Sequence, residues 1–200
     1  GPSEILVLAD ASADPVLAAA DLLSQAEHDP LAYPIMVTDD EALLQRTLEE
    51  TVRQLRLLPR QEIAGMSLDA RGHLLLVEDM ERGTEVVNRI APEHLELMVQ
   101  DPERTLGSIR NAGAVFLGPF TAEALGDYMA GPNHVLPTGG TARFFSPLGV
   151  YDFLKRSSVI SFSRQALMGR AEKVARFARL EGLEAHARAV DLRAGRREPA

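Results

Sequence analysis

The sequence predicts an α/β protein built on a mainly parallel sheet with flanking helices. Short continuous apolar runs recur at Ile5 to Ala9, Pro34 to Val37, Leu74 to Val77 and Ala114 to Leu117. Unbroken runs of this length mark strands buried on both faces. Between them lie longer stretches with helix starts, such as Asp14-Pro15 and Asp101-Pro102, in which an acidic N-cap precedes a proline. Strand and helix therefore alternate, which is the pattern of β-α units.

Taken in order, Ile5 to Ala9 is the first strand. Asp14 and Pro15 open a helix that runs to His28 and ends before Pro30. Pro34 to Val37 is the second strand. Thr38 or Asp39 caps a helix through Leu58, stopped by Pro59. Leu74 to Val77 is the third strand, and a helix follows from Met80 to Ile90. Leu95 to Val99 reads as extended. Asp101-Pro102 opens a helix to Asn111, and Ala114 to Leu117 is a further strand. Residues 129–149 carry four Gly and three Pro with little periodicity, and a loop of that length in a compact domain is often functional. Val150 to Arg156 reads as a short helix and Val159 to Phe162 as a strand. Ser163 caps a long terminal helical region that Gly182 breaks in two. The chain thus divides into an α/β domain over 1–149 and a helical C-terminal extension over 150–200.

Composition narrows the function classes. The 200 residues are 46% hydrophobic and 25% charged, enough to bury a core of useful size. A net charge of −8 argues against a nucleic-acid partner, which needs a basic footprint. The small group Arg193, Arg196 and Arg197 reads as a complement to a helix C-terminal dipole. No cysteine is present, so disulfides, thiol catalysis and Cys-type zinc sites are excluded. No apolar run approaches the ~20 residues of a membrane span. The N-terminus has no basic segment or cleavage site of a signal peptide. It reads as a strand entered in mid-fold, as in a piece of a longer protein.

The chemistry-bearing residues fall in Pro- and Gly-punctuated segments. Glu93 and His94 sit side by side in Ala91-Pro92-Glu93-His94-Leu95. A carboxylate and an imidazole fixed together are what proton transfer near neutral pH requires. Gln25 and His28, three apart, share one helix face and offer an amide oxygen and an imidazole nitrogen to one ion. Taken alone, His28 reads as a dipole partner or a surface residue, Asp127 as a turn or cap residue as readily as a ligand, and His186 as a solvated helix residue. His73 reads as a surface residue. Together Gln25, His28, Asp127 and His186 make a nitrogen and oxygen donor set that zinc accepts, as do manganese and cobalt. No Gly-x-Gly-x-x-Gly follows a strand and no Walker A loop is present, so no nucleotide-binding motif is recognised.

These motifs together resemble the histidinol dehydrogenase family. The resemblance rests on Gly1-Pro2-Ser3-Glu4, on Asp21 through His28, on Pro92-Glu93-His94-Leu95, and on Ala112 through Gly118. It continues through Gly126-Asp127-Tyr128, Gly131 through Thr138 and Glu184-Ala185-His186, in order over essentially the whole chain. It implies an incomplete Rossmann-like sheet and a cytoplasmic enzyme of histidine biosynthesis, oxidising L-histidinol to L-histidine through histidinal with NAD and one bound zinc. By motif, Gln25, His28, Asp127 and His186 match the zinc ligands, Glu93 and His94 the acid–base pair, and Ser3, His134 and Glu181 substrate contacts. His94 and the four zinc ligands also face the substrate. The resemblance further implies a homodimer with shared active sites, in which the C-terminal extension completes the partner's site. The family's NAD contacts have no counterpart in this chain. Two alternatives stand beside the dehydrogenase: a non-catalytic fragment that captures zinc and imidazole ligands, and a zinc hydrolase, which the motif order disfavours.

Overall fold

The apolar run near the N-terminus forms the central strand of a five-stranded parallel sheet. In the computed structural model, which describes residues 1–196, β1 (Glu4–Ala9) pairs with β2 (Tyr33–Thr38) on one side and β4 (His94–Met98) on the other. β3 (His73–Leu76) adds outside β2 and β5 (Ala114–Leu117) outside β4, giving the order β3-β2-β1-β4-β5. Parallel neighbours require crossovers, and these are α1 (Pro15–Ala26), α2 (Glu41–Leu55), α3 (Gln61–Arg71), α4 (Met80–Ile90) and α5 (Pro102–Leu106). A short α6 (Glu123–Tyr128) follows β5. The strand order is that of a doubly wound, Rossmann-like sheet.

Alternation along β1 shows why its apolar run is unbroken. Ile5, Val7 and Ala9 pack with Ala18, Leu22 and Leu43 under α1 and α2. Leu6 and Leu8 pack on the other face with Val87 of α4 and Leu95 and Leu97 of β4. With both faces covered, no position on the strand is left for a solvated side chain. At roughly 25 cal/mol per Å² of apolar surface, these two layers supply most of the drive to fold.

Several element boundaries differ from expectation for local reasons. The cap of α2 is Asp40, whose carboxylate accepts the N–H of Leu43, rather than Thr38 or Asp39; the Thr38 hydroxyl accepts the N–H of Asp40 instead. That helix stops at Leu55 rather than Leu58, and α5 stops at Leu106, short of Asn111, where Gly107 follows. Two helices, α3 and α6, form where none was expected. α3 lacks a side-chain cap and buries only Ala64 and Ser67, so it leaves little periodic signal.

The chain divides into two compact units, one over Gly1–Phe153 and one beginning at Leu154. The 3₁₀ helix Val150–Phe153 replaces the expected helix to Arg156. Val159 to Phe162 forms no strand; Val159 is 93% and Ile160 81% exposed, with no neighbouring ladder to pair with. The second unit carries α7 (Arg164–Met168), α8 (Ala171–Leu180) and α9 (Glu184–Arg193). Ser163 caps α7 through its hydroxyl. Ala175, Ala178 and Ala187 join α8 to α9 across a turn in which Gly182 takes φ 75°. Arg196 pairs with Asp191 and Glu172, whereas Arg197 lies outside the described residues.

Candidate active site

The polar centre of the first unit lies at the amino ends of β1 and β4. His94 opens β4 directly opposite Ile5 of β1. The chain reaches it by a sharp turn: α4 ends on Ala91 in the left-handed region, at φ 56°, and Pro92 cannot continue the helix. The loop is then clamped by Gly113, where a Cβ would lie 2.5 Å from the Glu93 carbonyl oxygen. Strand alternation turns His94 and Glu96 toward the face that α1 covers, the face of Met98.

The acid and the imidazole are held by one residue that the sequence reading overlooked. The Glu4 carboxylate accepts the N–H of Glu93 and the N–H of Gly139, and the Glu4 N–H donates to Glu93 Oε2 at 3.0 Å. His94 Nδ1 lies 3.0 Å from the Glu4 carbonyl oxygen. A carbonyl only accepts, so Nδ1 carries the proton and Nε2 holds the lone pair. His94 Nε2 is buried and has no hydrogen-bond partner; Asp127 Oδ1, at 4.0 Å, is too distant to be one. Burial lowers the His94 pKa, keeping the ring neutral, despite the hydrogen bond to Glu4 and the charge of Asp127. Burial also pushes Glu93 up to about 7 against the hydrogen bond from Glu4. Two groups thus stand ready to accept protons near neutral pH, one with an open lone pair.

Further buried carboxyls lie behind this pair. Glu96, 1% exposed, accepts the Glu123 N–H at 2.9 Å. It thereby caps α6 from β4, since Ala122 offers no side-chain cap of its own. Burial pushes Glu123 up to about 8, with the charges of Asp127 and Glu93 adding to it. Glu96 and Asp21 are raised together, first by burial, so this pair retains a proton at neutral pH. Glu96 had a sequence signal, a carboxyl amid Leu95, Leu97 and Met98 in a strand buried on both faces. Glu4 and Glu123 had none.

The expected ligands are distributed as follows. Gln25 is buried in the last turn of α1. Its amide is satisfied with the nitrogen toward Glu123 Oε2, at 3.0 Å, and the Glu4 carbonyl, at 3.3 Å; the opposite orientation would set its oxygen against two acceptors. Asp127 lies one turn after Glu123 on α6, not in a turn, and its Oδ1 is 3.5 Å from His134 Nδ1. Gly126 makes this possible, because a Cβ there would lie 2.5 Å from the Phe116 ring of β5. His134 and Asp127 line a cavity of about 350 Å³. His28 lies just past α1, exposed, and lines another cavity with Ser3.

Glu181 ends α8 and His186 lies on α9, both exposed and both in the second unit. Among the described residues no group of three or more His, Asp or Glu is gathered to hold a metal ion. The expected set draws only His28 and Asp127 of those types from the first unit. The donors that this unit supplies, an amide oyxgen, an imidazole and a carboxylate, nevertheless suit zinc chemically.

A neutral imidazole with an open nitrogen therefore lies beside a carboxyl pushed up to about 7, a pairing suited to proton transfer. The profile described as histidinol dehydrogenase matches residues 1–194. The chain belongs to the histidinol dehydrogenase family. It is 58% identical over 193 residues to histidinol dehydrogenase of Bacillus licheniformis, covering 96% of this chain and 45% of that protein. It is 57% identical over 193 residues to that of Bacillus subtilis, with the same coverage. The crystal structure of histidinol dehydrogenase from Elizabethkingia anophelis superposes with a TM-score of 0.88 at 39% identity, covering 98% of this chain and 45% of that one. The chain therefore spans about half the length of the histidinol dehydrogenases that it matches. Among the described residues no helix is long and apolar enough to cross a membrane.

Proposed function

We propose that this chain supplies the acid–base and zinc-binding part of an NAD-dependent oxidation of L-histidinol to L-histidine through histidinal, in histidine biosynthesis. The observation that carries the reading is the unpartnered, buried Nε2 of His94, with Nδ1–H fixed on the Glu4 carbonyl and Glu93 alongside. An open lone pair in a dry site is what a general base needs.

Gln25, His28, Asp127 and His186 would hold the zinc. When bound, it orients the substrate's imidazole and amine rather than activating water. His94 Nε2 accepts the alcohol proton as the carbinol carbon gives up hydride, leaving histidinal. Glu93, as a carboxylate, accepts a proton from the water that adds to the aldehyde carbon. The tetrahedral diolate formed gives up a second hydride to NAD, and the resulting carboxylic acid releases its remaining proton to solvent, leaving the carboxylate of histidine. His134, Ser3 and Glu181 are substrate contacts, with His134 placed by Asp127 to orient the reacting oxygen. NAD supplies the hydride acceptor, but its contacts are not provided here. The start of α1, where a Rossmann sheet holds a pyrophosphate, is capped by the carboxylate of Asp14, which accepts the Val16 N–H, and no glycine motif precedes it. The protein works as a cytoplasmic homodimer in which Glu181 and His186 complete the partner's site.

That occupied helix start favours a second reading, in which the 200-residue chain captures zinc and histidinol without turnover. One experiment separates the two. The chain is loaded with zinc and given histidinol and NAD, while NADH formation and histidinol binding are followed together. NADH formation supports the dehydrogenase acting alone. Zinc-dependent binding without NADH supports the capturing fragment. Absence of both contradicts either reading.

A further inference from the structure

We propose that Glu123 is a positioning residue that fixes the amide of Gln25, so that its oxygen rather than its nitrogen is offered to the cation. The inference rests on the zinc reading above and concerns a side chain to which that reading gave no role.

An amide at the end of a Gln side chain presents oxygen and nitrogen on opposite edges, and a half-turn about its last bond exchanges them. A divalent cation accepts the oxygen and rejects the NH₂ group. Something must therefore set the turn. Gln25 has two acceptors on one side, Glu123 Oε2 at 3.0 Å and the Glu4 carbonyl at 3.3 Å, and only the nitrogen satisfies them. Of the two, the carboxyl oxygen is the shorter contact and the one a side-chain change can remove.

Glu123 is itself fixed. It is 4% exposed, and its backbone N–H is held by Glu96 Oε1 at 2.9 Å, so the first turn of α6 is tied to β4. Asp127 follows four residues later on the same helix face. One short helix therefore carries a proposed ligand and the residue that orients another, and Glu96 anchors both. Partners of this kind behind a ligand are worth about 10–100-fold in metal affinity when removed.

The test uses the zinc-free 200-residue chain, titrated with zinc ion alone, and the NMR signal of the Gln25 side-chain NH₂. Glu123→Leu removes the acceptor, while Glu123→Gln keeps a carbonyl oxygen able to accept the Gln25 N–H. The expected result is a loss of about 10–100-fold in zinc affinity for Glu123→Leu, with faster exchange of the Gln25 NH₂, and substantial recovery of both in Glu123→Gln. Unchanged zinc affinity in a folded Glu123→Leu chain overturns the positioning role and leaves the zinc reading standing. Equal loss in both variants also overturns it, since burial of the carboxyl rather than the acceptor would then matter. A wild-type chain that takes up no zinc, with the Gln25 NH₂ still protected, overturns the zinc reading itself and with it the purpose assigned here to Glu123.

Discussion

Glu4 and Glu93 are joined reciprocally across 89 residues of sequence, each carboxylate accepting the other's backbone N–H, at 3.0 and 3.3 Å. The first residue of the central strand thereby fixes the residue before β4, and its carbonyl fixes the His94 ring as well. The proposed acid–base pair is in this way anchored to the central strand of the sheet.

Replacing Glu4 should therefore affect both stability and site. Glu4→Ala strips the acceptor from the buried N–H of Glu93 and from the N–H of Gly139, at an exposed position. A loss of about 1–3 kcal/mol in unfolding free energy is expected, with Glu4→Gln milder because its amide oxygen still accepts one of them. Denaturant titration of the three proteins reads this directly.

His94→Asn should act on chemistry rather than on metal. In a turnover-competent form of the protein, histidinol oxidation should slow by about 10²–10⁴-fold, the usual contribution of a positioned base. Zinc affinity should stay the same, measured by competition with a chromophoric chelator. Loss of zinc together with rate would make His94 a ligand.

Glu93→Gln should impair oxidation of supplied histidinal more than loss of the alcohol proton from histidinol. Because Glu93 titrates at about 7, it is protonated and unable to accept a proton at lower pH. The wild-type rate with histidinal should rise as pH increases through about 7 and then level off. That rising limb should be missing in Glu93→Gln, and its persistence would assign it to another group.

Stability should run the opposite way with pH. Glu93, Glu123 and Glu96 are raised by burial from 4.5 to about 7, 8 and 9. The native chain thus keeps protons that the unfolded chain releases above its ordinary carboxyl range, so unfolding free energy falls as pH increases. The zinc-free chain should melt lower at pH 9 than at pH 6. Glu96→Gln keeps an oxygen for the Glu123 N–H and removes an ionising group, so its melting temperature should depend less on pH. An unchanged slope would show that Glu96 is not protonated in the native state.

Much of the fold was legible because its signals are local. Apolar runs gave β1, β2, β3 and β5, and the carboxylates of Asp14 and Ser163's hydroxyl cap their helices as their positions suggested. What was not legible depends on tertiary partners. α6 has no cap in its own sequence, because Glu96 supplies one from β4, so Gly126-Asp127 read as a turn. Val159 to Phe162 had the composition of a strand but no neighbour to pair with. In the site, Glu93 and His94 announced themselves by adjacency. Glu4 did not, since its role lies in contacts 89 and 135 residues away along the chain.

The central claim is that the fold presets His94 as a neutral base with Nε2 open. Nitrogen-15 NMR of the His94 imidazole in the folded chain tests it most directly. At pH 7 the account predicts a protonated Nδ1 and an unprotonated Nε2, with the ring becoming cationic only below the ordinary histidine range. A proton on Nε2, or a cationic ring at pH 7, would contradict it.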